Sequence, residues 1–298
     1  VESNDFYSLK NLYDGLYLRN HIIARFEEAE ASPVTTPGSL TFVVIGGGAT
    51  GVQLVAEMRD FAHGSLLRSY PRVDPEQVRF VLIHDQEALL PGMDGDLGKY
   101  ALATLRRKGV EVRLGRRVTR IGPQGVEVDG GDEVPAHTVV WTGGIRASPL
   151  MVSPRVATDE DGRLAVTPQL ELPGYPGVYA LGDISHVVDP VSGEPLPPRA
   201  HFAVRQARTV ASNILADIRG HPKRAYGFPG TGQEAVSLGS RSAAVKWGNL
   251  RLYGFPARVV WLVAYLTVLM GNYNRIRIAF DWGMALVFGR DSTLLRLR

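Results

Sequence analysis

Three glycines, Gly46, Gly48 and Gly51, stand at the spacing G-x-G-x-x-G, between the apolar run Thr41-Phe-Val-Val-Ile45 and a helical pattern that opens with Ala49 and Thr50 and carries Val52, Leu54 and Val55. That spacing suits the binding of a pyrophosphate. The first glycine permits the tight turn, the second lets backbone approach the anion, and the third lets the helix pack closely on the strand. The N–H groups at the helix start then face the negative charge. Two further apolar runs end on residues of similar use. Val178-Tyr-Ala-Leu181 stops on Gly182-Asp183, where glycine allows close approach and the carboxylate can accept hydrogen bonds from ribose or ribityl hydroxyls. Val139-Val-Trp-Thr142 stops on Gly143-Gly144. Taken singly, each of these exits also reads as a plain turn. A predicted helix after Pro198 presents His201, Arg205 and Gln206 among small residues.

The elements that position these residues follow from periodicity. Leu12, Leu16, Ile22, Ile23 and Phe26 recur at helical spacing, so Leu9 to Glu30 is an amphipathic helix with Asn11 as its cap. The stretch from Ser32 to Ser39 is turn-rich and sets a boundary near residue 38. Strand 41–46, helix 50–63, strand 78–84 and helix 96–108 alternate as βαβα, which implies a parallel sheet with helices packed on it. Short strands near 110–114, 117–121, 124–128 and 137–142 read as a meander, Asp159 to Gly162 as a hairpin turn, Val178 to Leu181 as a buried strand and 200–218 as a helix. Two short helical patterns, Val259 to Met270 and Ile276 to Phe288, close the chain. They carry Trp261, Tyr265 and Trp282, with Arg251, Arg258, Arg275, Arg277, Arg290, Arg296 and Arg298 around them. That composition suits helices lying in a lipid headgroup layer; a protein-packing surface is the alternative.

Composition narrows the chemistry. The 298 residues contain no cysteine, so no disulfide framework, no Cys-ligated zinc and no dithiol chemistry can arise within them, and electron transfer requires a bound cofactor. The formal charge of +3, spread along the chain, gives no ground for nucleic-acid binding. His21, His63, His137, His186 and His221 show no metal-ligand spacing; they read as surface or loop residues, and no metal is expected. No targeting peptide is evident at Val1, and no apolar run reaches the roughly 20 residues that span a bilayer.

In this order the pieces resemble the type II NADH:quinone oxidoreductases, flavoproteins of the two-dinucleotide-binding-domain superfamily. The likeness rests on Leu9-Lys10 through Leu18-Arg-Asn-His21, the IGGGATGVQLVAE segment from Ile45, Trp141-Thr-Gly-Gly-Ile-Arg-Ala-Ser-Pro149, and Tyr179-Ala-Leu-Gly-Asp-Ile184. The ending Arg277-Ile-Ala-Phe-Asp-Trp282 with Arg290-Asp291 adds to it. The resemblance implies an α/β fold in which a Rossmann-like NAD(P)H-binding domain, residues 38–150, is inserted in an FAD-binding domain. Residues 1–37 and 151–231 would represent that FAD domain in part, and 232–298 an amphipathic membrane-associating module. It implies FAD and NADH as cofactors, hydride transfer from NADH to flavin, and delivery of electrons to a membrane quinone without proton pumping. It further implies peripheral attachment at the cytoplasmic face of the cell (inner) membrane, with a homodimer through the C-terminal region as a family expectation.

By the same resemblance, Gly46, Gly48, Ala49, Thr50 and Gly51 would hold the NADH pyrophosphate, and Gly143 and Gly144 would line the nicotinamide path. Asp183, with Gly182, would hold the flavin ribityl chain, and Ala200 and His201 would open the segment beside the flavin ring. The sequence departs from the family in four places. His201 and Arg205 stand where the family has glutamines near flavin and quinone, and Gln53 replaces the glutamate that commonly follows Gly-Val. The strand that should end in an acidic ribose-binding residue reads Val81-Leu-Ile-His84-Asp85, so either His84 or Asp85 takes that place; with Asp85 there NADH is favoured, with His84 discrimination against NADPH weakens. The family opens with another strand–GxGxxG–helix unit, and none precedes Val1, so the sequence reads as a fragment, with a degenerate homologue as the alternative. A soluble-acceptor, ferredoxin-type reductase and a non-catalytic nucleotide-binding protein are the alternative readings.

Overall fold

The structure is a computed structural model and describes residues 6–32, 36–144, 147, 156–189, 193–227, 233–269, 271–288 and 293. Two compact units divide the chain, residues 1–143 with 232–298 and residues 144–231.

Strand β2 (Thr41–Ile45) is the middle of a five-stranded parallel sheet of order β1-β8-β2-β3-β4, completed by β1 (Tyr7–Ser8), β3 (Arg79–Ile83), β4 (Glu111–Arg113) and β8 (Thr138–Trp141). Its register pairs Val43 with Val81 on one side and with Val139 on the other. Side chains alternate between the faces, so Phe42, Val44, Phe80 and Leu82 share one core while Val43, Ile45, Val81 and Ile83 share another. Against the first face lie α1 (Leu12–Ala31), through Leu18, Ile22 and Phe26, α2 (Ala49–Phe61), through Val52 and Val55, and α4 (Gly95–Arg107), through Leu97, Ala101 and Leu105. Against the second lies a small antiparallel sheet, β5 (Val118–Gly122), β6 (Gly125–Val128) and β7 (Glu133–Pro135), through Val126, Val128 and Val134. Both faces being covered is why the strands read as unbroken apolar runs rather than as alternation.

Local signals set the ends of the helices. Asn11 caps α1 by accepting from the Asp14 backbone N–H at 3.0 Å, while the Asp14 carboxylate accepts from the Asn11 N–H at 3.1 Å, a reciprocal capping box. Beyond α2 the helix runs on through a π-helical turn, Ala62–Leu66, into α3 (Leu67–Ser69).

Several elements differ from the sequence reading. The runs at 110–114 and 137–142 belong to the parallel sheet, not to the meander, whose third strand is instead β7. No periodic run announced β7 because it is only three residues long and ends on a proline. Residues 233–253 form a three-stranded antiparallel sheet, β11 (Gln233–Ser237), β12 (Ala243–Trp247) and β13 (Leu250–Tyr253), ahead of α6 (Gly254–Val268) and α7 (Asn272–Phe288). Val236, Leu238 and Ala244 from this stretch join the helix-side core.

The unit of residues 144–231 is built around two short parallel strands, β9 (Leu164–Ala165) and β10 (Ser185–His186), and the helix α5 (Ala200–Arg219). Leu170, Val187, Leu196 and Val210 form one of its cores, and Leu164, Leu172 and Ala180 another. The hairpin turn at Asp159–Gly162 forms, with Gly162 N–H donating to the Asp159 carbonyl. The expected buried strand at Val178–Leu181 does not: only an isolated bridge, Tyr179 to Glu171, pairs this backbone, and Val178 is exposed.

Candidate nucleotide-binding site

The glycine turn sits at the carboxyl end of β2, and every carbonyl along it has a partner. Ile45 O accepts from both the backbone N–H and the hydroxyl of Thr142, each at 2.8 Å, and the same hydroxyl lies 3.3 Å from Gly46 O. Gly47 O accepts from Leu90 N–H at 2.8 Å, and Gly48 O from Val52 N–H at 3.0 Å. Gly46 N–H donates to Ile83 O on the neighbouring strand at 2.8 Å. The start of α2 is different: Gly48 is its N-cap and no side chain caps it. The first N–H groups of a helix have no partner within it, so the positive end of α2 is left for an anion.

The glycines have separate reasons to be glycine. Gly46 has φ +113°, which a side chain would strain. A Cβ at Gly51 would lie 1.9 Å from Gly46 O and 2.7 Å from the Thr142 hydroxyl, so this glycine admits a carbonyl and a hydroxyl rather than merely bringing the helix near the strand. A Cβ at Gly48 would meet nothing within 4 Å. That open space beside an uncapped helix end fits a pyrophosphate. Gly47, which the fingerprint spacing leaves unspecified, is enclosed by side chains: a Cβ there would lie 2.4 Å from the His84 ring and 2.8 Å from Leu89.

His84 and Asp85 part company at the end of β3. His84 is 7% exposed and its ring lies under Gly47, with Nε2 buried and unpartnered; burial pushes its pKa below the usual histidine value, against the pull of Asp85. Asp85 is 48% exposed, with Oδ1 3.3 Å from His84 Nδ1 and Oδ2 3.9 Å from Arg117. The carboxylate is thus the accessible member of the pair, and the imidazole is packing. Gln53, one turn into α2, is half-buried. Trp141 closes β8, and its indole N–H donates to Gly143 O at 3.2 Å. Gly144 has φ +90°, and nothing lies within 4 Å of a Cβ built there. Most of the Trp141–Pro149 segment beyond Gly144 lies outside the described residues, as do Pro229 to Gly232.

In the other unit, a cleft is lined by Arg163, Gly182, Asp183, Arg199, Phe202 and Gln206. Gly182 has φ +72° and its N–H donates to Gln206 Oε1 at 2.6 Å, so a buried glutamine of α5 fixes the turn that leaves Asp183 exposed. Ala200 and His201 lie exposed at the first turn of α5, and Arg205 is half-buried. His201 is held toward its neutral form by burial and by Arg199 and Arg205.

Sequence reasoning missed Gly47, Leu90 and Thr142 as parts of the nucleotide turn, and it named Gln206 on its helix without its bond to Gly182. A run of three glycines marks Gly47, and Leu90-Pro91-Gly92 marks a turn, in which Leu90 takes φ +60°. The Thr142 and Gln206 contacts are long-range and left no local signal. His21 is corrected as well. It is half-buried on α1: its Nε2 lies 2.8 Å from the Thr138 hydroxyl, its ring is 4.7 Å from that of Tyr7, and burial lowers its pKa to about 4.

At the C-terminal end, α6 and α7 expose Val263, Val268, Tyr273, Ile276 and Phe280. No helix among the described residues is long and apolar enough to cross a membrane. The arginines are less available than the sequence suggested. Arg258 is 8% exposed, donates to Ser237 Oγ at 2.6 Å and stacks over Trp261 at 4.5 Å. Arg251 pairs with Asp94 at 2.8 Å, and Arg275 donates to Leu269 O at 3.0 Å. Arg277 is exposed, while Arg290, Asp291, Arg296 and Arg298 lie outside the described residues.

A parallel sheet that presents a glycine turn and an uncapped helix end at its carboxyl edge defines a dinucleotide-binding protein of the Rossmann class. The chain belongs to the pyridine nucleotide-disulphide oxidoreductase family, whose profile matches residues 13–207. It is 33% identical over 298 residues to the type II NADH:quinone oxidoreductase Ndh of Mycobacterium tuberculosis, covering 96% of this chain and 63% of that protein. It is 32% identical over 296 residues to a probable NADH dehydrogenase of Dictyostelium discoideum, covering 98% of this chain and 64% of that protein. The chain therefore spans under two thirds of the length of these relatives. Its fold matches the structure of NDH2 from Plasmodium falciparum in complex with NADH, with a TM-score of 0.82 at 15% identity over 97% of this chain and 75% of that one.

Proposed function

We propose that the protein to which these residues belong is an FAD-dependent NADH:quinone oxidoreductase. The observation that carries the reading is the glycine turn, with all its carbonyls anchored and the adjoining helix end uncapped beside open space at Gly48. In this reading Gly46, Gly48, Ala49, Thr50 and Gly51 seat the NADH pyrophosphate, and Asp85 accepts from the ribose hydroxyls and so disfavours a 2′-phosphate. Gly143 and Gly144 line the nicotinamide path. Gly182 and Asp183, with Ala200 and His201 at the α5 start, bind the flavin, Asp183 accepting from its ribityl hydroxyls. FAD, when bound, supplies the acceptor for hydride and the means to pass electrons to quinone. Arg205, half-buried on the same helix, stabilises negative charge on the flavin. Gln53 leaves the start of α2 without the carboxylate expected by family resemblance.

The same reading assigns residues 38–150 to nicotinamide-nucleotide binding, residues 1–37 and 151–231 to the FAD-binding domain, and 232–298 to membrane association. The protein attaches peripherally at the cytoplasmic face of the membrane, through the apolar side chains of α6 and α7, and forms homodimers through its C-terminal region. The exposed Ile276 and Phe280 support the membrane contact.

The experiment is a visible absorption spectrum of the 298-residue chain with added FAD, before and after anaerobic NADH, followed by a water-soluble quinone. A retained flavin spectrum that bleaches with NADH and returns with quinone is the expected result. NADH binding without flavin retention, in both this chain and an N-terminally extended one, would refute the reading in favour of a non-catalytic nucleotide-binding protein.

A further inference from the structure

We infer that Thr142 is a positioning residue for the dinucleotide: its hydroxyl, arriving from β8, locks the glycine turn in the geometry that receives the pyrophosphate. This rests on the nucleotide reading above and deepens it. The single hydroxyl hydrogen is shared between Ile45 O, at 2.8 Å, and Gly46 O, at 3.3 Å, so it ties the two carbonyls together. In a trans peptide the carbonyl and the following N–H point in opposite directions, so fixing Gly46 O fixes the direction of Gly47 N–H. Leu90 N–H does the same for Gly48 N–H by holding Gly47 O, and Val52 N–H does so for Ala49 N–H by holding Gly48 O. The last two anchors are backbone groups. Among the described residues, the turn's carbonyls receive a side-chain donor only from Thr142.

The glycine spacing itself points to this hydroxyl. A Cβ at Gly46 would lie 2.9 Å from Thr142 Oγ1 and a Cβ at Gly51 2.7 Å from it, so the first and third glycines together clear the space that the hydroxyl occupies. Filling a backbone pocket with a hydrogen-bonding side chain is a device for pre-organisation. The free turn then already has the bound geometry, and binding costs less ordering.

The test compares Thr142→Val, which keeps the shape and removes the donor, with Thr142→Ser, which keeps the donor. Dissociation constants for NADH and for ADP-ribose, which shares the pyrophosphate but lacks nicotinamide, are measured by calorimetry on the 298-residue chain alongside thermal melts. One hydrogen bond of ordinary net strength corresponds to about a ten-fold change, so the valine variant should bind both ligands about ten-fold more weakly than the parent. The serine variant should bind both nearly as the parent does. If the valine variant melts far below the parent, Thr142→Ala, which leaves the space open, takes its place in the comparison. Unchanged affinity without the hydroxyl, or a serine variant as weak as the valine one, would overturn the inference while leaving the nucleotide site standing. A parent chain that binds neither ligand would overturn the site, and this inference with it.

Discussion

Replacing Gly48 and Gly51 separately by alanine should divide binding from stability. The Cβ of Gly51→Ala would sit 1.9 Å from Gly46 O, where an ordinary contact is roughly 3.5 Å. The obstacle is backbone, and Thr142 holds it in place, so relief requires moving α2 away from the turn. Overpacking costs about 1–3 kcal/mol, and an immovable carbonyl argues for the upper end. Alanine recovers about 1 kcal/mol of helix propensity over glycine, leaving a net loss of about 2 kcal/mol. For a unit of this size that lowers the melting temperature by about 4–8 °C. Gly48→Ala meets no neighbour within 4 Å, and its φ of −71° suits alanine, so only the cap preference is lost, about 0.5–1 kcal/mol. On the proposed reading its methyl group, however, occupies the space of the pyrophosphate. On that reading, the charge-assisted hydrogen bonds displaced there are worth about 1.5–3 kcal/mol each, and NADH binding weakens by about a hundred-fold. Calorimetric melts and NADH titrations of both variants check the pair. A Gly51→Ala protein that melts with the parent, or a Gly48→Ala protein that binds NADH as the parent does, would refute the reasoning.

Three further outcomes are expected. His21 has its folded pKa lowered to about 4 by burial, so protonation favours the unfolded chain; stability is full above its unfolded value near 6.5 and is lost as pH falls toward 4. After allowing for the part of the ring that water screens, the loss is about 1–2 kcal/mol, and unfolding free energies from urea titrations at pH 7.5 and pH 4.5 should converge by that amount in His21→Gln relative to the parent. Lys108 Nζ lies 2.6 Å from both oxygens of the buried Asp60 carboxylate, whose pKa is lowered because the Lys108 and Ser240 bonds outweigh burial. Lys108→Met leaves that charge with Ser240 and with Arg59 at 3.5 Å, so urea denaturation at pH 7 should show about 1.5–3 kcal/mol lost, the worth of a charged hydrogen bond, shrinking as pH drops and Asp60 protonates. Ile276→Glu with Phe280→Glu places charge on side chains 72% and 67% exposed, so melting should be unchanged while binding to anionic vesicles falls at least about a hundred-fold in flotation, each lost apolar anchor being worth about 1.5–3 kcal/mol.

What could be read from the sequence was whatever the chain encodes locally. The helix from Leu12, its Asn11 cap, and the strand–turn–helix at Ile45 to Gly51 each depend on neighbours within a few positions, and each forms within two or three residues of its predicted place. The parallel sheet followed from the alternation of such elements. The three-stranded sheet of residues 233–253 did not, because its strands are four or five residues long and their pairing partners, Ala235 with Val245 and Val245 with Leu252, are set by tertiary contact. The arginines of the tail show the same limit in chemistry. A guanidinium near an apolar helix has the composition of a lipid anchor, yet Arg258 is committed to Ser237 and Trp261 inside the fold, and only the partner 21 positions away distinguishes the two uses.

The nucleotide turn joins both kinds of information. Its glycines are local and legible, but the groups that give them their reasons are distant in sequence. Thr142 reaches Ile45 across 97 positions, His84 lies beneath Gly47, and Leu90 holds the Gly47 carbonyl. A fingerprint of spacing therefore records where backbone must come close without recording what comes close to it. The ambiguity between His84 and Asp85 had the same origin. Adjacent residues at a strand end point to opposite sides, and it is the enclosed space at Gly47 that takes the imidazole inward and leaves the carboxylate outward. On the proposed reading, an alanine at position 47 would thus bear on the ribose site without touching it, because the His84 ring that it displaces is the one whose Nδ1 lies 3.3 Å from the Asp85 carboxylate.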